Sequence, residues 1–219
     1  MTRKLVAGRR APKSGVVKSA VVFLHGYGAD GADLLGLADP LAPHLPDTLF
    51  VAPDAPEPCA GNPFGRQWFP IPRLDGSSEA DSNAGFDLAS KDLQAFLDAL
   101  LAETRLPPSK LALFGFSQGS MMALQVAPRR AEALAGVVAF SGRLLRPERL
   151  AGEAQVKPPV ILLHGDADPM VDFAEMGRAG DALVAAGFDT YAHVMRGTGH
   201  GIAPDGLSVA LAFLRERLG

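Results

Sequence analysis

Six short apolar runs punctuate the chain: Ala20 to Leu24, Thr48 to Ala52, Leu111 to Phe116, Gly136 to Phe140, Val160 to Leu163 and Thr190 to Val194. Their unbroken, β-rich hydrophobicity marks strands buried on both faces, as in a parallel sheet. Helical patterns lie between them. The clearest runs from about Ala84 to Glu103, where Phe86, Leu93, Phe96, Leu97, Leu100 and Leu101 share one face. Others lie near Ser117 to Ala127, Ala174 to Ala186 and Leu207 to Leu218, the last with Arg215 and Arg217 placed for a C-terminal turn. Such alternation constrains the chain to an α/β architecture, a mostly parallel central sheet with helices on both faces. A length of 219 residues, 47% of them hydrophobic, suits a single domain over 1–219.

Composition narrows the function classes. A formal net charge of -3 gives no overall basic field, which argues against nucleic acid or an anionic membrane as the main partner. The one dense basic stretch, Arg3 to Lys18, reads as a solvated, peripheral N-terminal segment over 1–18. Cys59 is the only cysteine, so neither an intramolecular disulfide nor a Cys-rich metal site can form, and a reducing compartment suits the chain. The first residues lack the apolar run of a secretory signal, and no apolar stretch approaches bilayer-spanning length. The expectation is a cytoplasmic protein without stable membrane anchoring.

Residues 54–82 break the strand-helix rhythm. Six prolines between Pro53 and Pro72 exclude a regular helix or central strand, so a long Pro-rich loop near the site is expected. It carries Trp68, the only tryptophan, with Phe64 and Phe69 beside it. Either it lines a substrate or it packs as a surface loop, and its apolar residues could also support a homodimer.

The stretch Leu24 to Gly31, LHGYGADG, contains the G-x-G-x-x-G spacing of a dinucleotide loop, with Asp54 closing the next strand. Its chemistry disagrees. Asp30 and Asp33 would sit at the helix start and repel a pyrophosphate, and Gly36, Pro40 and Pro43 spoil the helix that should follow.

A stronger signal lies in LALFGFSQGSMMAL, Leu111 to Leu124, where an apolar strand runs into Gly115-Phe116-Ser117-Gln118-Gly119 and then into a helix-compatible run. That is the nucleophile-elbow pattern in its strand-turn-helix setting. A serine hydroxyl needs a base to take its proton and an acid to fix that base. VILLHGDADPMV places Asp168 just after a strand, and RGTGHGI places His200 in a glycine-rich loop after the last strand. The order Ser117, Asp168, His200 is that of α/β-hydrolases, with both partners at strand C-terminal ends. Asp166 is the rival acid, more suited to capping a turn, and Asp172, Asp189 and Asp205 are weaker rivals. His25 and His164 each end a strand before glycine and could fix loop carbonyls; His44 and His193 read as structural or exposed. No pair of histidines has metal-ligand spacing with a third ligand nearby, so no metal is expected. Acyl transfer also needs two donors for the oxyanion, which the backbone N–H groups of Tyr27 and Gln118 would supply. The glycines of the LHGYGADG loop then serve to turn an amide inward.

With FLHGYGADGADL, APDAP, the Trp68 region, GFSQGS, HGDADPMV and GTGH, the chain resembles the carboxylesterase/acyl-protein thioesterase (phospholipase/carboxylesterase) family from about Ser19 to Leu218. The resemblance implies an α/β-hydrolase fold and cleavage of carboxylic esters, with long-chain acyl thioesters or lysophospholipids as alternatives. It implies Ser117, Asp168 and His200 as the triad, Tyr27 and Gln118 as the oxyanion hole, and no cofactor. Phe64, Trp68 and Val171 are the candidate substrate-binding residues. Two positions depart from the acyl-protein thioesterases: Tyr27 replaces the usual Leu and Ser120 a second Gly. The aromatic is expected to narrow the acyl channel. The short connection from Ser141 to Pro158 leaves no room for a large cap, which suggests small to medium esters.

Overall fold

The computed structural model describes residues 2–60 and 62–219. The strands are β1 (Ala7–Arg10), β2 (Ser19–Leu24), β3 (Thr48–Pro53), β4 (Glu57–Cys59), β5 (Asn62–Gln67), β6 (Leu111–Phe116), β7 (Gly136–Phe140), β8 (Val160–Gly165) and β9 (Thr190–Met195). Among the described residues one sheet runs β1-β3-β2-β6-β7-β8-β9. All six predicted apolar runs lie in it as parallel neighbours, and only β1 is antiparallel, against β3. The helices are α1 (Gly31–Leu35), α2 (Ala38–Leu41), α3 (Pro72–Asp75), α4 (Glu79–Thr104), α5 (Gln118–Val126), α6 (Pro147–Glu153), α7 (Ala174–Ala185) and α8 (Pro204–Leu218).

Side chains alternate along a strand, so the sheet sorts the buried residues into two cores. Ala20, Val22, Leu24, Leu111, Leu113, Val137 and Leu162 face one way and pack with α4, α5 and α7. Val21, Phe23, Phe50, Phe114, Val138 and Phe140 face the other way, toward α1, α2 and α8. On that second face a row of aromatic rings crosses four adjacent strands. Phe23 stacks on Phe50 at 5.8 Å and meets Phe114 edge-on at 5.2 Å, and Phe114 stacks on Phe140 at 5.1 Å. Each ring is fully buried, and truncating one to Ala costs about 3–5 kcal/mol. This row fixes the middle of the sheet, from whose C-terminal edge the Ser117 loop emerges.

Three regions differ from the sequence expectation. Helix α4 begins at Glu79, five residues before the apolar periodicity does, because Ser78 and Asp81 form a reciprocal capping box around a polar first turn. The 1–18 segment is more than a solvated end. Leu5 is buried, β1 pairs along β3, and Arg3 reaches the fully buried Asp92 at 2.7 Å and Glu57 at 2.8 Å. Residues 54–82 are a small antiparallel β4-β5 hairpin, the short α3 and the start of α4 rather than a featureless loop. The hairpin tolerates Pro58 and Pro63 because it stands as a separate two-stranded sheet.

Candidate active site

Strand β6 delivers the chain to Ser117, which takes φ 53° and ψ -115° before α5 begins at Gln118. A β-carbon holds such a conformation only at a cost of about 1–3 kcal/mol. The flanking glycines explain how the turn closes. A Cβ on Gly115 would sit 2.5 Å from the Ser120 nitrogen, and one on Gly119 would sit 1.9 Å from the Leu24 carbonyl oxygen. No side chain fits at either place. The Phe140 carbonyl braces the turn by accepting from the Ser117 N–H at 2.8 Å and from the Ser120 hydroxyl at 2.7 Å. Ser120, where the resembled thioesterases carry glycine, is therefore a support for the elbow.

Ser117, His200 and Asp168 come together across 83 and 32 residues of sequence. His200 Nδ1 lies 2.8 Å from Asp168 Oδ2, and His200 Nε2 lies 3.0 Å from Ser117 Oγ. A carboxylate only accepts, so the proton sits on Nδ1, and Nε2 is left to accept from the serine hydroxyl. The Phe116 ring packs against the imidazole at 4.9 Å. The Asp168 side chain is wholly buried. Burial alone would push its carboxyl up, but the hydrogen bond from His200 and the N–H groups of Val171 and Met170 outweigh it and hold the group below its ordinary value. Asp166 accepts from the Gly197 N–H at 2.6 Å, away from the imidazole, so the rival acid caps the loop leading to His200.

The sequence left one neighbour of the acid unassigned to it. His164 Nε2 lies 3.0 Å from the Val171 carbonyl, as expected of a residue that fixes a loop, and also 3.3 Å from Asp168 Oδ2. The His164-Gly165-Asp166-Ala167-Asp168 spacing carried that signal, since both residues flank one tight turn.

The loop after β2 lies directly on the elbow. A Cβ on Gly26 would stand 3.3 Å from Ser117 Cβ. His25, fully buried, accepts the Ala55 N–H on Nε2 at 2.9 Å, so its Nδ1 carries the proton that reaches the Gly26 carbonyl at 2.8 Å. Since the peptide is planar and trans, holding that carbonyl fixes the opposite direction of the Tyr27 N–H. Neither this N–H nor that of Gln118, the first of α5, has an acceptor among the described residues. The Tyr27 ring runs toward Cys59 and Asp75, where burial pushes its phenol up. The ring is not among those lining the groove at Met121 and Val171, so it does not narrow that groove. Asp54 accepts from the Gly31 N–H at 2.9 Å at the start of the five-residue α1, which leaves no dinucleotide loop here.

That groove, of about 410 Å³, is lined by the apolar Phe69, Ile71, Met121, Met170 and Val171 together with the charged Arg73, Glu79, Arg143, Asp172 and Glu175. Met121 is one helical turn beyond Ser117, and Val171 is three residues beyond Asp168, so the apolar part adjoins the triad. Val171 is among the residues lining this groove. Trp68 is not: it has 0% exposure and donates its indole N–H to the His25 carbonyl, so it cannot touch substrate. Phe64 stands 91% exposed on the β4-β5 hairpin, outside the groove lining, while Phe69 is buried. Phe64 alone therefore remains of the apolar 64–69 surface suggested for a homodimer.

Comparison with known proteins adds three findings. The family model described as phospholipase/carboxylesterase matches residues 10–218. The chain is 30% identical to esterase YpfH of Escherichia coli over 89% of this chain and 81% of that one, and 29% identical to acyl-protein thioesterase 1 of Neurospora crassa over 91% and 87%. The crystal structure of esterase PE8 superposes with a TM-score of 0.94 at 46% identity, covering 99% of this chain and 100% of that one.

Proposed function

Because the chain belongs to the phospholipase/carboxylesterase family of α/β-hydrolases, and is thus an ester hydrolase of the serine class, we propose that it cleaves small to medium acyl esters through an acyl-enzyme on Ser117. The observation that carries this reading is the hydrogen-bonded sequence Asp168, His200, Ser117 at 2.8 and 3.0 Å. His200 Nε2 takes the Ser117 proton as Oγ attacks the ester carbonyl carbon. The carbonyl oxygen, now negative, is met by the N–H groups of Tyr27 and Gln118. Collapse of the tetrahedral adduct breaks the bond to the alcohol, which leaves with the proton from His200. Water then gives up a proton to His200, attacks the acyl-enzyme, and frees the acid and the serine. Asp168 holds the imidazole in its Nδ1–H tautomer throughout.

The groove sets the acyl length. Its lining mixes apolar residues with Arg143, Glu79 and Glu175, so a long acyl chain that filled it would desolvate those charges, which opposes binding. A series of p-nitrophenyl acetate, butyrate, octanoate and palmitate tests this: kcat/KM is expected to peak at butyrate or octanoate, and a maximum at palmitate would count against it. A thioester presents its carbonyl to the same groups, and one relative is named an acyl-protein thioesterase. Short acyl thioesters are accordingly expected to turn over and palmitoyl thioesters poorly. No described helix is long and apolar enough to cross a membrane.

A further inference from the structure

The ester-hydrolase reading requires the Tyr27 and Gln118 N–H groups, from loops 91 residues apart in the sequence, to converge on one oxygen. We propose that Trp68 is the positioning residue that sets their separation. This inference rests on the proposed function.

Trp68 is bonded to both loops at once. Its indole N–H donates to the His25 carbonyl at 3.0 Å, two residues before Tyr27. Its backbone N–H donates to Gln118 Oε1 at 2.8 Å, and Gln118 Nε2 donates in turn to the Phe69 carbonyl at 2.7 Å. The residue whose main chain supplies one oxyanion donor is thus held by its side-chain amide to residues 68 and 69. Both side chains have 0% exposure, so no solvent competes for these bonds and each partner would be left orphaned if one were removed. The indole also lies 5.7 Å from the His25 ring, whose Nδ1 fixes the Gly26 carbonyl and with it the Tyr27 peptide plane. The β4-β5 hairpin adds an outer tie: the Gly28 N–H donates to the Arg66 carbonyl at 2.9 Å, and the Arg66 N–H to the Ala29 carbonyl at 2.7 Å. The Pro-rich excursion therefore acts as a brace between the two halves of the hole, and Trp68 is its central joint.

The chain contains one tryptophan, so a tryptophan-auxotrophic host supplied with benzothienylalanine replaces Trp68 alone. That substitution retains the ring and exchanges the indole N–H for sulfur. The expected result on p-nitrophenyl butyrate is a fall in kcat of about tenfold with KM nearly unchanged, since a displaced donor loses part of what a deleted one loses. The inhibition constant of a trifluoromethyl ketone, whose serine adduct carries the same oxyanion, should rise by the same factor. Trp68→Phe, which also keeps an aromatic ring and lacks the donor, should give the same split. Unchanged kcat and inhibition would overturn the proposal, even if the melting temperature falls, because Trp68 would then only pack. A raised KM with intact kcat would overturn it too, by making Trp68 a substrate contact. Wild-type protein that neither turns over the ester nor binds the ketone would remove the ester-hydrolase reading along with it, whereas an active wild type matched by its analogue removes the Trp68 role alone.

Discussion

His164 Nε2 sits 3.3 Å from the Asp168 carboxylate oxygen that His200 Nδ1 meets at 2.8 Å, so the acid of the triad has a second histidine on it. The Val171 carbonyl only accepts, which places a proton on His164 Nε2 directed at it. With the Met170 and Val171 N–H groups on Oδ1 and His200 on Oδ2, Asp168 is held by three donors, and His164 ties down the Val171 end of the same turn. His164→Leu retains the bulk and removes the donor to the Val171 carbonyl. The Val171 carbonyl is then orphaned, which costs about 1–3 kcal/mol of stability. Denaturant unfolding and steady-state kinetics check this, and kcat/KM is expected to fall by roughly tenfold as the Asp168 turn loosens.

Asp168→Asn is expected to lower kcat by about 10⁴-fold, because an amide stabilises the wrong imidazole tautomer. Asp166→Asn should change kcat only severalfold, since Asp166 meets the Gly197 N–H and not His200. Asp168 also shapes the acid limb of stability. The folded-state value of Asp168 lies below its ordinary 3.8, so its contribution is fully present above that pH and is lost as pH falls through the lower folded value. Melting temperatures measured from pH 6 to pH 3 should show a shallower acid decline in Asp168→Asn than in the wild type.

His25 gives a pH dependence of its own. Burial, opposed by the hydrogen bond to Gly26, holds its pKa below the ordinary 6.5, and Nε2 is occupied by the Ala55 N–H. Below pH 6.5 the unfolded chain takes up a proton that the folded one refuses, so stability falls as pH drops from 6.5 toward the folded value. Proton uptake on unfolding, measured by calorimetry in buffers of different ionisation enthalpy at pH 6, should be smaller in His25→Asn than in the wild type.

The sheet and the elbow at Ser117 were legible in the sequence because both are local. A strand buried on both faces is a continuous apolar run, and the elbow needs its glycines within two residues of Ser117. The Trp68 tie between the His25 and Gln118 loops was not legible, because its bonds join residues 43 and 50 positions apart and leave no period. Trp68 accordingly read as a substrate contact, the common role of an aromatic in a long loop, when its indole N–H had a buried carbonyl to satisfy. Strand β1 was hidden for a related reason: Ala7-Gly8-Arg9-Arg10 has no apolar alternation, and it becomes a strand only through the partner that β3 offers.

If Ser117 is the nucleophile of an ester hydrolase, its hydroxyl is the one that an electrophilic probe should modify. Intact-mass spectrometry after treatment with a fluorophosphonate, alongside p-nitrophenyl butyrate hydrolysis, tests it most directly on the wild type and Ser117→Ala. One phosphonyl adduct and turnover are expected in the wild type, with no adduct and activity lower by at least about 10⁴-fold in Ser117→Ala. Folded wild type without an adduct, or Ser117→Ala that still turns over the ester at a comparable rate, would contradict it.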